Sequence, residues 1–156
     1  MLESIGLAAD DSPNGGVTVA LIDSGLYPST AFLGRIQTFV DFTGGGARRT
    51  APSDAYGHGT HVAGLIGARV PEIDGAMQGV APGVNFVALK VLDAEGRGRT
   101  SDVIRAIEFA VANRRRFGID IINLSLGHPI FEPADSDPLV EAVEKAVQAG
   151  IIVVAS

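Results

Sequence analysis

Residues 17–22 read Val-Thr-Val-Ala-Leu-Ile and are followed at once by Asp23-Ser24-Gly25. This short apolar and β-branched run, preceded by the turn pair Gly15-Gly16, predicts a strand that is buried on both faces. Segments of the same character recur later in the chain, at residues 85–91, 119–125 and 151–155. Strands of this kind are typical of parallel sheets covered by helices on both faces.

Amphipathic helical patterns lie between these strands. Residues 100–117 carry a single apolar stripe, and Thr100 or Ser101 is available as the N-cap. A second helix is predicted after Asp137, which is its expected N-cap, and it should end near Gly150.

The order of the predicted elements gives the fold class. A shorter helix is predicted over residues 58–68, so that strands and helices alternate along the chain. Such alternation predicts an α/β fold with an open, mostly parallel, doubly wound sheet and right-handed crossovers. Ligands of these sheets bind beyond the carboxyl ends of the strands. The polar residues at those ends are therefore the candidates for function.

Composition argues against several functional classes. The chain has 156 residues, of which 46% are hydrophobic, a formal net charge of −6 and no cysteine. A disulfide framework or a cysteine zinc site is therefore excluded, and an acidic chain without a basic face is not typical of nucleic-acid binding. No apolar run reaches the ~20 residues that span a bilayer, and the first residues lack the pattern of a signal peptide. We expect neither a nucleic-acid nor a membrane partner.

Two polar segments are candidates for chemistry. Asp23 ends the first predicted strand, a position where an α/β phosphohydrolase or a nucleotide-binding protein also places an acid. His58 and His61 lie close together among small residues, but the glutamate and the wider spacing of a His-Glu-x-x-His zinc site are absent. The glycines beside His58 allow other backbone or a substrate to approach it closely.

Four segments together resemble the subtilisin-like serine proteases. They are Val-Ala-Leu-Ile-Asp-Ser-Gly at 19–25, Gly-His-Gly-Thr-His-Val-Ala-Gly at 57–64, Gly-Val-Ala-Pro at 79–82 and Ile-Asn-Leu-Ser-Leu-Gly at 122–127. They occur in the order of that family and at roughly its spacing, so that the resemblance extends from about residue 5 to the last residue.

The resemblance implies an Asp-His-Ser catalytic triad, in which the acid precedes the base along the chain. Asp23 matches the triad acid, and His58 matches the general base. Asp54 takes a supporting, hydrogen-bonding role near the substrate cleft, and His61 takes a structural one.

The resemblance also implies a groove that holds a peptide substrate as an added strand. The residues that match this groove are Ser125, Leu126 and Gly127 on one side, Gly96, Arg97 and Gly98 on the other, and Leu92 and Val103 in the pockets. Glycines suit such a groove because a side chain would hold the peptide backbone away. Arg97 predicts that acidic side chains are tolerated in the substrate.

Part of the family pattern is absent from these residues. Neither the Ala-Gly-Asn segment with the oxyanion asparagine nor the Gly-Thr-Ser-Met-Ala segment with the nucleophile occurs. We therefore expect residues 1–156 to be the N-terminal portion of a single catalytic domain, truncated before its last strands, without a second domain and inactive without its C-terminal half. The apolar strand at 151–154 would leave an unprotected edge, which agrees with this expectation.

The remaining expectations also come from the resemblance. The partner is a peptide or protein substrate, no cofactor is required, and an extracellular or secreted location is implied. Calcium is common in the family, and Asp74, in the loop at residues 72–75, is a weak candidate ligand. A reading from a different class stays open: a non-catalytic homologue that keeps the groove to bind peptides or to assemble.

Overall fold

Six strands form one sheet in the computed structural model, which describes residues 16–69, 78–127 and 133–156. The strands are β1 (Thr18–Asp23), β2 (Ile36–Asp41), β3 (Arg48–Arg49), β4 (Asn85–Lys90), β5 (Ile119–Leu124) and β6 (Ile152–Ala155). Their order across the sheet is β3-β2-β4-β1-β5-β6, and only the β2–β3 pair is antiparallel. The predicted open, mostly parallel sheet is confirmed.

Helices cover both faces of this sheet. They are a 3-10 helix (Thr30–Phe32), α1 (His58–Gly67), α2 (Thr100–Phe117) and α3 (Pro138–Gln148). The core beneath α2 and α3 contains Ala20 and Ile22 of β1, whereas the core beneath α1 and the 3-10 helix contains Val19 and Leu21. Alternate residues of one strand thus enter different cores, as in a doubly wound fold. None of the helices in the described part of the chain is long and apolar enough to cross a membrane.

Strand β1 lies at the centre of the sheet and is buried along its whole length. It pairs in parallel with β4 on one side and with β5 on the other, so that its backbone groups are satisfied within the sheet. Because β1 is hydrogen-bonded along both edges and packed on both faces, its carboxyl end at Asp23 has a fixed position in the sheet.

The boundaries of the predicted helices are largely confirmed, with one correction. Asp137 caps α3, since its Oδ1 accepts a hydrogen bond from the Leu139 backbone N–H at 2.8 Å, and Pro138 is the first helical residue. The prediction of Thr100 or Ser101 as the N-cap of α2 is wrong. Arg99 holds that position in an extended conformation without a side-chain cap, because the helical turn already includes Thr100.

The sequence pattern did not predict β2 and β3. Strand β2 has mixed burial, with Phe39 and Val40 buried and its other residues more exposed, so it lacks the continuous apolar run of β1. Its place in the sheet comes from parallel pairing with β4, a contact between distant parts of the chain. The pairing with β4, and not the local sequence pattern, therefore determines that residues 36–41 form a strand.

At the opposite edge, β6 pairs with β5. Within the described residues no strand covers its other side, and Ile152 and Val154 are 64% and 51% exposed. The prediction of an apolar edge at residues 151–154 agrees with this arrangement.

Replacing Phe86 with alanine should destabilise the protein strongly. Phe86 is fully buried in β4, and its ring meets Phe32 edge to face at a centroid distance of 5.6 Å. The cavity left behind should lower the free energy of unfolding by about 3–5 kcal/mol. Chemical denaturation measures this change, with Leu33→Ala, at an 82% exposed position, as the control that stays near wild type. Equal losses in both variants would contradict the packing described.

Candidate active site

The structure brings Asp23 and His58 into direct contact. Asp23 ends β1 and is completely buried, while His58 begins α1 with its side chain 40% exposed. The His58 Nδ1 atom lies 2.8 Å from Asp23 Oδ1 and 2.9 Å from Oδ2. Residues that are 35 positions apart in sequence thus form a close carboxyl–imidazole pair.

This pairing determines which imidazole nitrogen can act as a base. A carboxylate only accepts hydrogen bonds, so Nδ1 of His58 carries the proton when Asp23 is ionised. The other nitrogen, Nε2, then has a free lone pair, and it makes no hydrogen bond within the described residues. The pair can therefore take a proton from a group that approaches His58 from the solvent side.

Close backbone packing makes the pair possible. A Cβ atom on Gly59 would lie 2.2 Å from the Gly25 carbonyl oxygen and 3.1 Å from Asp23 Cβ. Gly25 has a φ of +133°, and a Cβ there would meet the Ser53 carbonyl oxygen at 2.1 Å. Glycine at both positions lets the first turn of α1 rest directly on the end of β1.

Asp54 ties the beginning of α1 to the turn that follows β1. Its Oδ1 accepts hydrogen bonds from Ser24 Oγ and from the Gly57 N–H, both at 2.8 Å. Its Oδ2 accepts from the Thr60 N–H at 2.8 Å and from Thr60 Oγ1 at 2.6 Å. Because the N-cap residue Gly57 has no side chain, the carboxylate of Asp54, three residues earlier, accepts the free N–H of Thr60 in the first turn of the helix.

These contacts also change the acidity of Asp54. Burial favours its neutral form, but the hydrogen bonds from Thr60, Gly57 and Ser24 together outweigh that effect, so the pKa of Asp54 is lowered. Asp54 thus holds the turn after β1 and the beginning of α1 together, while its supporting role near the substrate cleft stays a prediction.

Sequence reasoning missed the contribution of Ser24 and Lys90. Ser24 is fully buried; its N–H donates to Asp23 Oδ1 at 2.6 Å, and its Oγ accepts from the Gly59 N–H at 2.9 Å. The Lys90 ammonium donates to the carbonyl oxygens of Ser24 at 2.6 Å and Leu92 at 2.5 Å. The strand pattern that marked Lys90 as part of β4 gives no signal for these long-range contacts.

A cavity of about 420 Å³ opens beside His58. All eight residues predicted for the substrate groove line it: Leu92, Gly96, Arg97, Gly98, Val103, Ser125, Leu126 and Gly127. His58 lines it as well, so the predicted base and the predicted groove share one space. Asp23 and Asp54 are not among the lining residues: Asp23 is fully buried, and Asp54 is bonded to the beginning of α1.

The cavity has further lining residues that sequence reasoning did not identify, namely Tyr56, Arg99, Thr100 and Leu139. The Tyr56 ring lies over Gly96, where a Cβ atom would come within 2.4 Å of it, and its centroid is 6.5 Å from that of His58. Tyr56 directly precedes the segment 57–64 that identified His58, but the local pattern gives no signal that its ring covers Gly96.

The described residues give no support for a metal centre. They contain no group of three or more histidine, cysteine or carboxylate side chains that could hold an ion. His61 is exposed on α1, and the zinc interpretation of His58 and His61 lacks further ligands in this part of the chain. Asp74, the candidate for calcium, lies outside the described residues.

Replacing Asp54 with asparagine should weaken the protein in a pH-dependent way. At neutral pH the loss of charge-assisted hydrogen bonds should cost about 1–3 kcal/mol of unfolding free energy. Because the folded pKa lies below the unfolded value of about 3.9, the contribution of Asp54 is present above that value and disappears as the pH falls through the folded pKa.

Denaturation at a series of pH values from 7 down to 3 measures this difference. The difference in unfolding free energy between wild type and Asp54→Asn should become smaller at the lowest pH values. Asp135→Asn, at an exposed position, should have the unfolding free energy of wild type at every pH. A gap of constant size would show that the carboxylate charge is not what stabilises this region.

Comparison with known proteins identifies the family of this chain. A sequence model of the subtilase family, peptidase S8, matches residues 14–156. Serine protease AprX of Bacillus subtilis (strain 168) is 38% identical over 143 residues, which are 88% of this chain and 32% of AprX. Subtilisin DY of Bacillus licheniformis is 40% identical over 140 residues, which are 90% of this chain and 46% of that protein.

Solved structures show the same relationship. Sphericase superposes with a TM-score of 0.83 at 29% sequence identity, over 99% of this chain and 50% of sphericase. The chain thus spans half or less of the length of these relatives. The family match and the shared fold agree with the resemblance found in the sequence, and this chain belongs to the subtilase family.

Proposed function

We propose that this chain supplies the acid and the general base of a serine endopeptidase, with Asp23 and His58 in those roles. The observation that carries the proposal is the buried Asp23 carboxylate bonded to Nδ1 of an imidazole that lines an open cavity. Family membership supports the reaction class, because the relatives named above include a serine protease.

In this proposal His58 acts first as a general base and then as a general acid. Its Nε2 removes the proton from a serine hydroxyl as that oxygen attacks the peptide carbonyl, and it later gives the proton to the leaving amine. Asp23 fixes the orientation of the ring and stabilises the imidazolium that forms between these steps. Asp54 has a positioning role, because its hydrogen bonds to Thr60 hold the first turn of α1, where His58 lies.

The substrate is a peptide or protein held in extended form between residues 96–98 and residues 125–127. Main-chain hydrogen bonds to these segments would provide affinity, and side chains of the substrate would enter the cavity. Leu92 and Val103 would contact them there, since both line it. Gly127 leaves room for the substrate backbone, since nothing lies within 4 Å of the place a Cβ atom would take; at Gly96 and Gly98 the Tyr56 ring and the Val91–Leu92 segment fill that place.

We further propose that the nucleophile is not among residues 1–156. Ser24 Oγ is buried and bonded to Asp54 and Gly59, so it is not available for attack. Ser125 accepts a hydrogen bond from Asn123 Nδ2 at 2.9 Å and belongs to the proposed groove. An extracellular or secreted location, which the family resemblance implies, stays a prediction.

Removing either member of the pair should abolish activity. In the protein expressed from its complete reading frame, Asp23→Asn should lower kcat for peptide hydrolysis by about 10⁴-fold, because the wrong imidazole tautomer is then favoured. His58→Ala should lower it at least as much. Labelling by a fluorophosphonate probe should fall in parallel, while far-ultraviolet circular dichroism stays unchanged.

The control for this experiment is His61→Ala, which removes an exposed imidazole from the same helix and should retain activity. Hydrolysis that survives His58→Ala would refute the assignment of the base. Absence of hydrolysis and of labelling in the wild-type protein would favour a non-catalytic peptide-binding homologue.

Residues 1–156 alone should not react with the fluorophosphonate probe. The probe requires a serine activated by a neighbouring base, and we propose that none of the serines in this segment has that relation to His58. Gel fluorescence after incubation with the probe measures the reaction, with subtilisin as the positive control. Labelling that disappears on His58→Ala would overturn the proposal and identify a nucleophile within these residues.

A further inference from the structure

We propose that the cavity beside His58 selects substrates with an acidic side chain, and that Arg99 is the residue that recognises the acid. The inference rests on the proposed function, whose substrate class it narrows. It also differs from the expectation drawn from the sequence, which gave this role to Arg97.

The lining of the cavity is cationic although the chain as a whole is acidic. Arg97 and Arg99, both exposed, line it, and none of its lining residues within the described part of the chain is an aspartate or a glutamate. The formal net charge of the chain is −6. The positive charge is therefore a local property of this cavity, and it favours an anionic group of the substrate.

The two arginines are not equivalent. Arg97 is engaged by its own loop, since its Nη2 lies 3.4 Å from Glu95 Oε2 and its Nε lies 3.8 Å from Asp93 Oδ2. Asp93 is itself fixed, because its Oδ1 accepts the N–H groups of Glu95 and Arg97 at 2.9 Å. A substrate carboxylate that approached Arg97 would compete with these two acids.

Arg99 has no such competitor. Its side chain makes no ion pair or hydrogen bond among the described residues, and it stands just before the first residue of α2. The nearest acid along the chain, Asp102, is buried and paired with Arg105 at 2.6 Å. Within the described residues, Arg99 is thus an unpaired cation at the exposed rim of the cavity, the part that Arg97 and Arg99 line.

The rest of the lining indicates which acid fits best. Leu92, Val103, Leu126 and Leu139 add apolar side chains to the lining of the cavity. A glutamate side chain would place its methylene groups against these residues and its carboxylate near Arg99. Glutamine has the same shape without the charge, so a comparison of glutamate with glutamine isolates the electrostatic contribution.

The expected effect is modest because the rim is open to water. An exposed ion pair changes an equilibrium by about twofold to fivefold, and we expect a preference of that size for glutamate over glutamine. The preference should shrink toward unity as salt rises from 0.05 to 1 M, since the screening length falls to about 3 Å.

The test uses two measurements on the protein expressed from its complete reading frame. The first is kcat/KM for paired peptides that differ only by glutamate or glutamine at each position on the amino side of the cleaved bond. The second is the binding of the same fluorescent peptides to the His58→Ala variant by anisotropy, where they stay intact. At one position or at two neighbouring positions, the glutamate peptide should be cleaved faster and bound more tightly.

Charge variants of the rim identify the arginine. Arg99→Gln should bring the glutamate preference close to unity, whereas Arg97→Gln should reduce it less. Glu95→Gln, which frees Arg97, should increase the preference. Arg115→Gln removes the same charge from an exposed position that does not line the cavity, and it should leave the preference unchanged.

Equal cleavage and equal binding of the paired peptides would overturn the inference while leaving the endopeptidase proposal intact. A preference that survives Arg99→Gln and is lost in Arg97→Gln would reverse the assignment of the residue. If the wild-type protein cleaves no peptide, the proposed function fails, and the binding ratio alone then decides whether the cavity recognises an acid.

Discussion

The rest of the structure depends on keeping one carboxylate, that of Asp23, buried and hydrogen-bonded at the end of the central strand. A buried charge is costly unless hydrogen bonds replace its hydration. The replacements here are the Ser24 N–H and the His58 Nδ1, which belong to two different segments. Satisfying the carboxylate therefore requires α1 to begin directly against β1, and only a residue without a side chain at position 59 allows that approach.

The sequence predicts well those strands and helix ends that depend on local or repeating patterns of residues. Strands β1, β4, β5 and β6 follow from near-continuous apolar runs, because burial on both faces leaves a clear pattern. The N-cap of α3 follows from Asp137 and Pro138, whose preferences act within a single turn. The site residues Asp23 and His58 were found from motifs, and the structure then brings them together at hydrogen-bond distance.

Contacts between distant residues could not be predicted in the same way. Strand β2 has no continuous apolar run, and its pairing with β4 fixes it in the sheet. Lys90 reads as the end of a strand, yet its ammonium bonds a carbonyl oxygen 66 positions away, at Ser24. Tyr56 reads as an ordinary loop residue, yet its ring covers Gly96. Each of these features depends on which distant segment the fold brings next to the residue. The periodicity of the sequence does not contain that information.

Lys90 links the Asp23–His58 pair to the wall of the cavity. The β1–β4 register places it opposite Asp23, and its ammonium joins the carbonyl of Ser24, in the turn after the acid, to that of Leu92, in the cavity wall. The Asp23 carbonyl also accepts the Val91 N–H at 2.8 Å. The wall and the acid are therefore joined by hydrogen bonds, whereas the side chain of Arg99 makes none in the described part of the chain. Removing the charge of Arg99 therefore breaks none of the hydrogen bonds that align His58 with Asp23.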